Sequence, residues 1–64
     1  MKIIFQEEVG DYDTHKGGYV VQVEEDLFIA TTFRKDQFGT HNSTFEYDNK
    51  AMAINFAKTG VGLD

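Results

Sequence analysis

The stretch Asp11-Tyr12-Asp13-Thr14-His15-Lys16-Gly17 has the composition of a metal loop, two carboxylates and an imidazole alternating with spacer residues. An EF-hand calcium loop needs Gly at its sixth position for the sharp turn and a bidentate Glu at its twelfth. Counted from Asp11, those positions are Lys16 and Gln22, so the motif fails and a solvated acidic loop is the better reading. His15 and His41 are both expected in loops. With Asp11 and Asp13 they offer donors, but not the close i, i+4 pair that presents two ligands on one helix face. Ser43, the only serine, lies in His41-Asn42-Ser43-Thr44 and lacks the elbow pattern that presents a nucleophile to a base. The chain has no Cys, which removes thiolate ligands, disulfides and a cysteine nucleophile together. The expectation is a protein with no catalytic residue, no metal site and no cofactor.

Acid is the stronger signal. Glu7, Glu8, Asp11 and Asp13 gather in one part of the chain and Glu24, Glu25 and Asp26 in another, with a formal net charge of −5. The six basic residues are scattered along the sequence without a run. Gripping a nucleic-acid backbone takes clustered Lys and Arg, so no direct nucleic-acid binding is expected. Two acidic ends can imitate phosphates, although solvated turns are the plainer account. Such ends also steer a small domain toward a protein partner with a basic surface. No apolar run approaches the roughly 20 residues that span a bilayer, and no signal-peptide pattern opens the chain. Together with the missing cysteines, this composition suits a reducing, cytoplasmic setting.

Among the elements, the clearest signal is a hairpin from Gly17 to Phe33. Tyr19, Val21 and Val23 alternate with Val20, Gln22 and Glu24, and Leu27, Ile29, Thr31 and Phe33 form the matching set beyond an acidic turn. A two-residue turn at Glu25-Asp26 pairs Val23 with Phe28 and Val21 with Ala30. A three-residue loop, Glu24-Glu25-Asp26, pairs Val23 with Leu27 and Val21 with Ile29 and puts the two largest apolar sets on one face. Burying several large side chains, at roughly 1.5–3 kcal/mol each, outweighs one strained turn residue at about 1 kcal/mol, which favours the three-residue loop. The face carrying Val21 and Ile29 is then expected to meet the helix. The other face, with Ile4, Val20, Phe28 and Ala30, is expected to stay uncovered as a partner surface or a homodimer interface.

Met1 to Glu8 reads as the first strand and Val9 to Lys16 as a loop. Gln37 to Ser43 reads as a second loop, with Thr44 to Tyr47 as a short optional strand. Asn49 to Thr59 carries the helical pattern. Asp48 is the preferred N-cap, with a start at Ser43 as the rival because Ser43-Thr44-Phe45-Glu46 matches a capping box. Met52, Ala53, Phe56 and Ala57 share one side of this helix. Gly60 reads as its left-handed C′ residue, with Val61 returning onto Phe56 in a Schellman closure, and Val61 to Asp64 is expected to fray. The whole is one domain, residues 1–64, of the α+β class: a three- or four-stranded antiparallel sheet with one C-terminal helix packed on one face. A chain of this length builds only a small core, here supported by six Phe and three Tyr.

Met1-Lys2-Ile3-Ile4-Phe5, followed by Gly17-Gly18-Tyr19-Val20-Val21, resembles the strand-hairpin portion of HicB-type antitoxins over about a third of the chain, which implies an antitoxin role. The overall plan also resembles, in style, small bacteriophage proteins with an opening strand, a Tyr-Val strand and a Phe-plus-helix ending such as Phe45 to Gly60. Such proteins often bind and block a host protein. The expectation is therefore a small acidic protein-binding module acting through Ile4, Val20, Phe28, Glu24, Glu25 and Asp26, with a self-associating structural domain as the alternative.

Overall fold

In the computed structural model, which describes residues 1–10 and 14–62, two-residue periodicity runs further along the chain than its turn-forming residues suggest. Four strands result: β1 (Lys2–Gly10), β2 (His15–Glu24), β3 (Leu27–Asp36) and β4 (Gly39–Tyr47), followed by one helix, α1 (Lys50–Thr59). The sheet is an antiparallel meander in the order β1-β2-β3-β4, and α1 lies across its central strands, β2 and β3. The α+β expectation of an antiparallel sheet and one C-terminal helix holds, with the optional strand present and long. Gln37 to Ser43 is thus not a loop. Only Gln37 and Phe38 turn the chain, between the paired Asp36 and Gly39. The Asp36 carboxylate accepts from the Phe38 N–H at 2.8 Å, closing that turn with a side chain.

The central register is the expected one, Val21 opposite Ile29 and Val20 opposite Ala30. It is reached differently at the tip. Glu24 pairs with Leu27 across Glu25-Asp26, and a bulge between Gln22 and Glu24 absorbs the odd residue. A bulge therefore takes the place of the strained loop residue. A second bulge, between Ile3 and Phe5, breaks the alternation of β1. Phe5 then faces Val20, Ile3 faces Val21, and Ile4 and Phe5 both pack against the core.

The helix covers the opposite face from the one expected. Val20, Phe28 and Ala30 are buried with Ala53 and Ala57 of α1, while Val21 and Ile29 lie half-buried on the uncovered side. Small residues explain the choice. A β-carbon added to Gly18 would fall 2.0 Å from the Ala57 carbonyl oxygen, so helix and strand backbones all but touch. Gly18 and Ala30 on the sheet match Ala53 and Ala57 on the helix, and close packing recovers dispersion contacts that a face of Tyr19, Val21 and Ile29 would hold apart.

Both ends of α1 also depart from expectation. Asn49, not Asp48, is the N-cap, its side-chain oxygen accepting from the Met52 N–H at 3.1 Å. Ser43 lies inside β4, which removes the rival start. Gly60 keeps right-handed geometry (φ −65°), and Gly62 (φ +75°) is the left-handed residue. Three-residue turns, from Gly60 N–H to Ala57 O through Gly62 N–H to Thr59 O, carry the chain past the helix. Gly60 is instead required for contact: an added β-carbon would lie 2.3 Å from the Gly17 carbonyl oxygen. Val61 is buried, whereas Met52, placed on the inner side by periodicity, is 54% exposed. The expected fraying of the last residues falls partly on positions outside those described.

Candidate interaction surface

Of the six residues expected to form a binding surface, Val20 and Phe28 lie in the core beneath α1, and Ile4 is half-buried against it. They are not a free surface, because the helix took their face. Glu24, Glu25 and Asp26 are exposed at the β2–β3 turn, where the Gln22 side-chain amide donates to the Glu25 carbonyl at 3.4 Å. The acidic turn is thus solvent-exposed, and the open apolar surface lies on the side of the sheet away from the helix.

That open face is built by register. Ile3, Val21, Ile29 and Glu46 follow one another across the four strands, and Gln6, Tyr19, Thr31 and Thr44 form the next row. Ile3 is 59% exposed, and Tyr19, Val21, Ile29 and Phe33 are half-buried. Thr31, nearly buried, shares a 3.1 Å hydrogen bond between its hydroxyl and that of Thr44, which ties β3 to β4 across the middle of this surface. The rings of Tyr19 and Phe33 lie 6.5 Å apart, and His15 continues the row, 5.9 Å from Phe33 with its Nε2 on the Glu8 carboxylate. The face is thus an apolar stripe ending at the contact between His15 and Glu8.

Both histidines sit in strands rather than loops. His15 is on the open face, and His41, opposite Arg34, is one position out of phase and points to the helix side. Among the described residues, no three of His, Asp and Glu approach closely enough to hold a metal ion. Asp11 and Asp13, the two carboxylates of the candidate metal loop, lie outside the described residues. No helix among the described residues is long and apolar enough to cross a membrane.

Cross-strand pairing creates one grouping that the linear sequence does not display. Lys16, Arg34 and His41 stand side by side on β2, β3 and β4, with Lys35 opposite His15, so half of the scattered basic residues meet at the end of the sheet away from the acidic tip. Lys16, Arg34 and His41 border a cleft of about 320 Å³ between the sheet and Thr59-Gly60. Its signal was positional, since each of these residues lies within a few positions of a chain reversal at that end. Arg34 reaches the Asp36 carboxylate at 3.5 Å, but its side chain stays 71% exposed. On the helix side, a second apolar area runs beside β4. The ring of Phe45, 53% exposed, meets Phe56 edge-on at 5.0 Å, with Tyr47 6.0 Å from Phe56 and Met52 nearby.

No known protein family, curated protein or solved structure matches this chain.

Proposed function

We propose that this protein is a small binding module that acts on another protein, using the open sheet face as its contact surface and the Glu24-Glu25-Asp26 tip to steer the encounter. The observation that carries this reading is the uncovered stripe of Ile3, Tyr19, Val21, Ile29 and Phe33 on a sheet whose one helix among the described residues lies on the other side. Apolar rows of this kind, bordered by charge, mark surfaces that another macromolecule covers. With a net charge of −5 and an exposed acidic turn, the fitting partner is a protein with a basic rim around an apolar patch. The reading assigns the chain no catalytic step, no cofactor and no nucleic-acid ligand. It places the protein in the cytoplasm, and its likeness in style to phage-encoded binders of host proteins points the same way.

Capture from lysate on immobilised protein, followed by kinetics with the purified partner, tests it. Charge steering weakens with salt, because the screening length falls from about 10 Å at 0.1 M to about 3 Å at 1 M. Reversing Glu24, Glu25 and Asp26 to Lys is expected to slow association more than it speeds dissociation. Ile3→Lys, on the apolar stripe, is expected to act mainly on dissociation. A partner whose association ignores both salt and the reversal, and whose affinity ignores Ile3→Lys, would remove the reading.

A further inference from the structure

We infer that the β4 edge is a self-association surface, where two copies of this chain join antiparallel edges into one continuous sheet, four strands from each copy. A rim strand presents a row of unpaired N–H and C=O groups, and soluble proteins guard such rims with Pro, Lys, bulges or short strands. The two rims here are guarded unequally. β1 carries Lys2, Glu7 and Glu8 and is bent by the bulge between Ile3 and Phe5. β4 is nine residues long, pairs with β3 without a register break and contains no Pro, Lys or Arg. Its one carboxylate is Glu46. A chain of net charge −5 thus presents a nearly neutral, regular edge.

The sequence of β4 argues for a second copy as the occupant. A two-fold axis perpendicular to the sheet keeps each residue on its own face, so paired positions must differ by an even number. Pairing about the midpoint uses all nine residues and sets Ser43 against Ser43 of the second copy, Asn42 against Thr44, His41 against Phe45 and Thr40 against Glu46. No like charges meet, small hydroxyl and amide groups fill the centre, and the exposed Phe45 ring gains an imidazole across the new seam. Both helices then lie on one side and both open faces on the other. The inference stands apart from the proposed partner binding, which uses that open face and leaves the edge free.

The chain has no cysteine, so single-cysteine variants report the register. Ser43→Cys places two thiols opposite each other at a Cβ separation of about 4.5–5.5 Å, within reach of a short thiol-bridging reagent. Thr40→Cys, which faces Glu46, leaves its two thiols several residues apart. The expected result is a sedimenting mass twice 7.3 kDa for the unmodified chain at millimolar concentration. Ser43→Cys is expected to cross-link at least an order of magnitude faster than Thr40→Cys. A monomer at that concentration overturns the inference, and so does a dimer in which the two variants cross-link equally.

Discussion

At the scale of single residues, glycine does two different things in this chain. Gly39 has φ +132° and open space around it, so a side chain there costs backbone strain alone. Gly18 and Gly60 are limited by what stands above or below them: the Ala57 carbonyl over one, the Gly17 carbonyl under the other. Gly60→Ala is the cleaner test, since a residue at φ −65° gains helix propensity from alanine and loses only by collision. Overpacking of this kind typically costs 1–3 kcal/mol, and here the obstacle is backbone, which yields less than a side chain. Gly18→Ala and Gly60→Ala should each lower stability by about 2–3 kcal/mol in urea melts. A Gly60→Ala protein as stable as its parent would show that helix and strand are not in contact there.

Among the elements, the helix illustrates how narrowly a cap is set. Asp48 and Asn49 are both good caps, and the sequence favours Asp48 where the structure uses Asn49. Tyr47 ends β4 and stays paired with Phe28, so Asp48 serves as the link between strand and helix, and Asn49 meets the Met52 N–H. Asn49→Ala should therefore cost about 1 kcal/mol, and Asp48→Ala no more than about 0.5 kcal/mol. Chemical denaturation followed by circular dichroism measures both, and a reversed order would move the cap. β4 itself shows an element that composition hides. Gly39-Thr40-His41-Asn42-Ser43 has turn-like residues, yet pairing with β3 and the side-chain closure of the Asp36 turn make it a strand.

On the scale of the whole molecule, which measures 37 × 20 × 15 Å, one helix has to choose between two sheet faces. Val20 is fully buried beneath it, and Val21, its neighbour, lies half-buried on the open side. Val20→Asp puts an unpaired carboxylate into the core. That cost, about 3–5 kcal/mol, is comparable to the entire stability of a small domain, so this variant should be unfolded. Val21→Asp should fold, at a cost of about 1–2 kcal/mol. Equal losses for the two, read from the same melts, would contradict the placement of the helix.

The strand periodicity of Tyr19 to Phe33, the helical pattern of Ala51 to Lys58 and the acidic tip were legible in the sequence, because each depends on neighbours a few residues away. The register of Val21 on Ile29 was legible too, since burial by two strands fixes it whatever the turn does. Which face the helix covers was not. Counting apolar area favoured the Val21 face, whereas the fold was decided by how closely Ala53 and Ala57 approach Gly18 and Ala30, a contact between segments more than twenty residues apart. For the same reason the candidate surface moved from Val20 and Phe28 to Ile3, Val21 and Ile29. The row of Lys16, Arg34 and His41 likewise exists only through cross-strand pairing, which sets side by side residues that the chain keeps apart.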